Sequence, residues 1–119
     1  MWHVATRLPT QDLGRARAFY RDVLGLEPDE EREGGLLYKL GDTEFALFES
    51  AGQAKGEFTQ MCLYVDDIEA VVATLRERGA EVDGIAEIDG NYPSKGSGER
   101  AAWLRDSEGN LIGLSELVP

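Results

Sequence analysis

The sequence contains a single cysteine, Cys62, so no disulfide bond can form within the chain, and a reducing compartment is the simplest expectation. It also contains a single histidine, His3, which any cysteine–histidine or serine–histidine centre would have to use. The longest apolar run, near residues 70–75, is far shorter than the roughly 20 residues that cross a bilayer. The N-terminus lacks the basic segment and apolar run of a signal peptide. We therefore expect a cytoplasmic protein with no membrane partner.

Basic residues are scarce. The chain has 12 lysines and arginines against 23 aspartates and glutamates, which gives a formal net charge of −11. A field of this sign repels phosphate backbones, so we expect no nucleic-acid partner. The acidity favours solubility, and it would also attract cationic small molecules. A length of 119 residues, with 42% hydrophobic and 29% charged residues, is typical of one globular domain.

An internal repeat begins at Asp12 and again at Asp67. Each aspartate opens a stretch whose apolar residues have the spacing of an amphipathic helix. The first apolar stripe is formed by Leu13, Ala16, Tyr20, Val23 and Leu24, and the second by Ile68, Val71, Val72 and Leu75. Both aspartates suit a helix N-cap, and Gly25 and Gly79 suit the left-handed residue that ends a helix. The sequence therefore predicts one helix of about three turns in each half.

Strand-like segments surround both predicted helices. In the first half they are residues 2–8, a poorly marked stretch near 26–32, and Gly35–Leu40 and Thr43–Glu49 around a Gly41-Asp42 turn. In the second half they are residues 58–65, 81–88, 100–105 and 111–117, with a tight turn at 106–110. Each half therefore predicts the order β-α-β-β-β, and the whole chain predicts an α+β fold.

We expect one domain over residues 1–119, with module one at 1–50, a linker at 51–56 and module two at 57–119. One helix per module must bury its apolar stripe against one face of its sheet, which leaves the other face free. Two free faces side by side would form a curved mixed sheet around a trough. Such a trough would suit a small ligand.

Three stretches resemble motifs of the vicinal-oxygen-chelate superfamily, which includes glyoxalase I, extradiol dioxygenases and bleomycin-resistance proteins. They are residues 12–26 (DLGRARAFYRDVLGL), 64–70 (YVDDIEA) and 104–112 (LRDSEGNLI), and they follow one another in the family's order. The resemblance implies paired βαβββ modules and often a homodimer. In the enzymes of the family it also implies a divalent metal, held by His, Gln and Glu side chains from four strands.

The residues at the implied metal positions depart from the family pattern. The two first-strand positions hold Ala5, which cannot bind a metal, and Gln60, whose neutral amide is a weak ligand alone. The last-strand position of module two holds Gly113, and the equivalent in module one falls among residues that include Glu44 and Glu49. A catalytic metal usually needs three protein ligands. We therefore expect no metal cofactor, although a divalent metal remains the alternative.

Strand alternation predicts which side chains line the trough. The predicted ligand-binding residues are Arg7, Gln60, Cys62, Tyr64, Tyr92 and Trp103. Arg7 would pair with an anionic group of the ligand, and the aromatic residues would suit a flat or apolar molecule. Tyr92 lies in the long segment 90–98, for which a flap over the trough and a solvated surface loop are equally good interpretations.

Three functions are compatible with these patterns, in order of preference. The first is metal-free binding of a small drug or metabolite, as in antibiotic resistance by sequestration. The second is a divergent lyase, isomerase or dioxygenase, which would use either Gln60 with a metal, or Arg7 and Tyr64 without one. The third is a protein-interaction or regulatory module that keeps the fold without a ligand.

Overall fold

The computed structural model describes residues 1–89 and 98–118 of the 119-residue chain. Tyr92 and most of the predicted flap lie outside the described residues. The elements in chain order are β1 (Thr6–Thr10), α1 (Leu13–Asp22), β2 (Glu30–Arg32), β3 (Gly35–Leu40), β4 (Thr43–Glu49), β5 (Met61–Tyr64), α2 (Ile68–Glu77), β6 (Ala86–Asp89), β7 (Gly98–Arg105) and β8 (Leu111–Val118). Neither helix is long and apolar enough to cross a membrane, among the residues that are described.

The strands form two four-stranded sheets of the same topology. The first has the order β1-β4-β3-β2 and the second β5-β8-β7-β6. In each sheet the first strand runs parallel to the last, and the remaining neighbours are antiparallel. This arrangement confirms the predicted α+β class and the repeated β-α-β-β-β order.

The chain divides into two compact units. The first contains residues 1–57 together with the turn Asp106–Asn110, and the second contains Phe58–Arg105 and Leu111–Pro119. The turn between β7 and β8 is therefore part of the first unit, although both strands belong to the second. The assignment of one domain to residues 1–119 stays a prediction, as does a trough shared by the two modules.

Both helices begin and end where the sequence predicts. The side chain of Asp12 accepts a hydrogen bond from the backbone N–H of Arg15 at 2.9 Å, and Asp67 does the same for Ala70 at 3.1 Å. Gly25 and Gly79 have φ values of 72° and 91°, in the left-handed region that glycine adopts without strain. The predicted stripes are buried at Ala16 and Tyr20 of α1 and at Ile68, Val72 and Leu75 of α2.

Aromatic rings dominate the core of the first unit. Tyr20 of α1 packs against Tyr38 and Phe45 of the sheet, with ring centroids 5.5 and 5.8 Å away. The rings of Tyr38 and Phe45 stack with centroids 4.9 Å apart. All three side chains are nearly fully buried. Such rings contribute a large apolar area for few side chains, which suits a small core.

Some strand boundaries differ from the predicted ones. The first strand is Thr6–Thr10 rather than residues 2–8, and its register pairs it with residues 45–49 of β4. It contains Pro9, which a strand tolerates at the edge of a sheet, and β1 is an edge strand. The strands predicted at 58–65 and 81–88 are shorter, at Met61–Tyr64 and Ala86–Asp89. In contrast, Gly35–Leu40 and Thr43–Glu49 have the predicted bounds.

Candidate functional site

In the part of the chain that the structure describes, helix α2 packs on one face of the second sheet, and no other helix or strand covers the opposite face. The carboxylate of Glu116 in β8 accepts a hydrogen bond from the backbone N–H of Ile68, at the start of α2. Because side chains alternate along a strand, the even-numbered residues of β8 share this helix-facing side, and Ile112 and Leu114 among them are buried. The odd-numbered residues point to the opposite face, which is where a ligand could bind.

Cross-strand register brings two rows of residues together on the open face. Cys62 pairs with Gly113, and Gly113 pairs with Trp103 on its other side. Two residues further along β5, Tyr64 pairs with Ser115, which pairs with Ala101. Residues in register on one face are direct neighbours.

These two rows line a cavity of about 450 Å³, which we call the sheet pocket. A volume of this size is within the range of small-molecule sites. The lining residues are Thr59, Cys62, Tyr64, Ile88, Glu99, Ala101, Trp103, Gly113, Leu114 and Ser115. All of them belong to the second unit. The lining is largely apolar, with an indole ring at one end and a carboxylate at the other.

Two features determine the position of the Trp103 side chain. One is a hydrogen bond from its indole, and the other is the lack of a side chain at the neighbouring Gly113. The indole Nε1–H donates to Thr59 Oγ1 at 2.8 Å. A Cβ atom at Gly113 would lie 3.2 Å from Thr59 Cγ2 and 3.3 Å from Trp103 Nε1, which is tighter than ordinary packing. The side chains of Thr59 and Trp103 therefore occupy space that a larger residue at position 113 would fill.

Glu99 and Ser115 form the polar end of the sheet pocket. The hydroxyl of Ser115 donates to Glu99 Oε1 at 2.5 Å. Ser115 is buried, while Glu99 is half-buried. Partial burial of the Cys62 thiol raises its pKa, and the negative charge of Glu99 raises it further. A thiol with a raised pKa is a poor nucleophile at neutral pH, so Cys62 acts here as a lining residue.

The residues at the implied metal positions do not fit a metal ion. Gly113 offers no ligand atom, and the side-chain oxygen of Gln60 accepts a hydrogen bond from the backbone N–H of Leu111 at 3.2 Å. The backbone N–H of Gln60 also donates to the Leu111 carbonyl at 2.9 Å, so this residue supports the strand end. Within residues 1–89 and 98–118, no three His, Cys, Asp or Glu side chains cluster as metal ligands would.

The structure brings together only part of the predicted site. Cys62, Tyr64 and Trp103 line the sheet pocket. Gln60 precedes β5 and is not among the lining residues, and Arg7 is an exposed residue of β1 in the first unit. Tyr92 lies outside the described residues.

Sequence reasoning missed Thr59 and Glu99. Glu99 could have been found by alternation, since it lies four residues before Trp103, but the strand was predicted to begin only at residue 100. Thr59 lies within the strand predicted at 58–65, but alternation puts it on the face opposite to Gln60, Cys62 and Tyr64, and in the structure it precedes β5 and lines the pocket. No local signal marks it, because its role depends on contact with Trp103, which is 44 residues away.

The described residues form two units of the same β-α-β-β-β topology, which defines a fold class but not a function. A sequence model of the Glyoxalase/Bleomycin resistance protein/Dioxygenase superfamily matches residues 2–114. The chain therefore belongs to this superfamily. A search of curated proteins gives no significant match.

Solved structures of the same fold include proteins with different functions. TnmS3, an antibiotic-binding protein from Streptomyces sp. CB03234, is 27% identical with a TM-score of 0.72, and the match covers 99% of this chain and 98% of that one. A bleomycin resistance determinant encoded on transposon Tn5 is 20% identical with a TM-score of 0.74, and the match covers both chains completely, at 100% each. A lactoylglutathione lyase from Agrobacterium tumefaciens is 24% identical with a TM-score of 0.71, over 97% and 92% of the two chains.

Proposed function

We propose that this protein binds a small organic molecule in the sheet pocket without the help of a metal ion. The observation that carries the proposal is the open sheet face, where a cavity of about 450 Å³ combines the Trp103 indole with the Glu99 carboxylate. Ligand sites are typically apolar concavities with a few well-placed polar groups. Cys62, Tyr64 and Trp103 are the predicted residues that we retain as ligand contacts.

The metal-free part of the proposal is supported by the residues at the implied metal positions. Gly113 has no ligand atom, and the Gln60 side chain is hydrogen-bonded to the backbone of Leu111. Reorienting this amide toward a metal would leave the Leu111 N–H without that bond, at a cost of about 1–3 kcal/mol if the group stays buried.

The likeness to TnmS3 favours an antibiotic or a related natural product as the ligand, because that protein is described as antibiotic-binding. We include sequestration of such a compound in the proposal. The cytoplasmic location and the homodimer that the family resemblance implies stay predictions, and sedimentation equilibrium of the purified protein tests the dimer.

Tryptophan fluorescence offers a direct test, because the chain has only two tryptophans. Trp2 is 98% exposed, so Trp2→Phe should leave the fold intact and make Trp103 the sole indole reporter. We expect saturable changes in its emission with at least one member of a panel of flat aromatic antibiotics. The matched control is Trp103→Phe, in which the remaining Trp2 should not respond. No saturable signal, and no heat in calorimetry with any compound, would contradict the proposal.

Elemental analysis of the untagged protein tests the metal-free part separately. We expect far less than one Ni, Zn, Mn or Fe ion per chain, and no rise in melting temperature when these ions are added. A content near one ion per chain would overturn this part. Lyase and dioxygenase substrates would then be tested, as the likeness to a lactoylglutathione lyase suggests.

A further inference from the structure

The formal charge of the sheet pocket is concentrated at one end. Glu99 is the only acidic or basic residue among the described residues that line the pocket. Within residues 1–89 and 98–118, its carboxylate accepts one hydrogen bond, from Ser115, whose side chain is buried. A carboxylate has about four acceptor positions, so a single bond from a serine hydroxyl leaves room for a donor on a ligand.

The Trp103 indole lies further along the same strand. Glu99, Ala101 and Trp103 are alternate residues of β7, so they share one face. A strand rises about 6.6–6.8 Å for every two residues, which separates the backbones of Glu99 and Trp103 by roughly 13 Å. Ala101 lies between them, and its side chain is a single methyl group. This strip is long enough for two or three fused rings with a short polar arm.

The negative charge of Glu99 determines which polar group the arm of the ligand should carry. The chain as a whole carries a net charge of −11, so cations are attracted and anions repelled before they reach the pocket. A protonated amine donates up to three hydrogen bonds and pairs with a carboxylate more strongly than a neutral hydroxyl does. An indole face also attracts cationic and electron-poor rings.

We propose that Glu99 is the specificity-determining residue of the sheet pocket, and that it selects planar aromatic molecules that carry a protonated amine. The rings lie over Ala101 against Trp103, and the ammonium group pairs with the carboxylate that Ser115 orients. This inference rests on the proposed function, because it names the ligand class of the same pocket.

A matched pair of small probes tests the selection by charge. 2-Naphthylmethylamine is cationic at neutral pH, and 2-naphthylmethanol has the same rings and a neutral arm. In calorimetric titrations we expect the wild-type protein to bind the amine about tenfold more tightly than the alcohol. In Glu99→Gln, which keeps the shape but removes the charge, the two affinities should become similar.

Two further variants test whether the preference for the amine depends on the charge of Glu99 itself or on the overall negative charge of the protein. Glu87→Gln removes the same charge from β6, where Glu87 does not line the sheet pocket, and it should keep the tenfold preference. Glu99→Asp retains the carboxylate and should keep part of the preference for the amine over the alcohol. This result would show that the loss of preference in Glu99→Gln comes from the missing charge and not from misfolding.

The outcomes distinguish the role of Glu99 from the proposed metal-free binding of a ligand in the sheet pocket. Equal binding of both probes by the wild type, or a preference that survives in Glu99→Gln, would overturn the role of Glu99 while leaving metal-free ligand binding in place. Failure of the wild type to bind either probe, together with the absence of any signal in the antibiotic panel, would overturn both.

Discussion

The guanidinium group of Arg15 donates two hydrogen bonds to the carboxylate of Glu108, from Nε to Oε2 at 2.7 Å and from Nη2 to Oε1 at 2.9 Å. The side chain of Glu108 is fully buried. Its Oε1 also accepts from the backbone N–H groups of Gln11 and Asp12 at 2.9 and 3.0 Å. One carboxylate thus joins the segment that opens α1 to a turn more than 90 residues later.

Replacing Glu108 should lower the stability of the protein. The Ser107 hydroxyl also donates to Oε2, at 2.9 Å. In Glu108→Gln the amide cannot accept from all five donor groups, and the N–H groups of Arg15, Gln11 and Asp12 lose charge-assisted bonds. We expect the free energy of unfolding to fall by about 1–3 kcal/mol, measured by urea denaturation. The control is Glu81→Gln, at an exposed glutamate, which should change the value by less than about 0.5 kcal/mol. Equal stability of both variants would contradict the structural role of Glu108.

The contribution of Glu108 should depend on pH in a defined direction. Its hydrogen bonds, led by those from Arg15, lower the pKa of Glu108 from 4.5 to about 2 in the folded protein. A group with a lowered folded pKa stabilises the fold above its unfolded pKa and loses this effect as the pH falls. The stability difference between wild type and Glu108→Gln should therefore be constant above about pH 5 and shrink between about pH 4.5 and 2. A difference that grows on acidification would contradict the assignment.

Two buried tyrosines offer a matched pair of substitutions. The hydroxyl of Tyr20 donates to Asp106 Oδ2 at 2.7 Å, whereas the buried hydroxyl of Tyr38 has no hydrogen-bond partner among the described residues. Tyr20→Phe should cost about 1–3 kcal/mol of stability, because it leaves a buried carboxylate short of a donor. Tyr38→Phe removes only an unpaired group, so it should be neutral or stabilising. Thermal and urea denaturation of both variants would show whether the costs are in this order.

Gly113 can be tested by its effect on Trp103. In Gly113→Ala the new methyl group would press on the Thr59–Trp103 pair, and we expect the indole to move outward. In a Trp2→Phe background, its emission should shift to longer wavelength and acrylamide should quench it faster. Gly84→Ala is the control, because a Cβ there meets no atom within 4 Å. Unchanged emission in Gly113→Ala would show that the glycine is not what makes room for the indole.

The sequence predicted the helices well because their signals are local. Asp12 and Asp67 act on N–H groups three residues away, and Gly25 and Gly79 act through their own backbone angles. The hairpin of Gly35–Leu40 and Thr43–Glu49 was equally clear, because alternation and a short turn define both strands. Short strands such as β6 were placed less accurately, because their length is set by the partner strand and not by their own residues.

The turn Asp106–Asn110 shows where local reasoning fails. Its polar residues were predicted as an ordinary turn, and Asp106 does accept from the backbone N–H groups of Glu108 and Asn110. The same residues are also buried in the first unit, where Asn110 donates to the carbonyl of Pro9 at 3.0 Å. Nothing within the turn reveals these partners, since they are distant in sequence.

The sequence by itself determined the β-α-β-β-β repeat, the superfamily and the presence of Ala5 and Gly113 at two positions where the resemblance implies metal ligands, because each depends on residue identity and short-range spacing. Only the tertiary structure decided which residues form the candidate site. Strand register places Trp103 beside Gly113 and Glu99 within reach of Ser115, and register is set by cross-strand hydrogen bonds that join distant segments. The pocket is therefore a property of the sheet, and no single stretch of the chain encodes it.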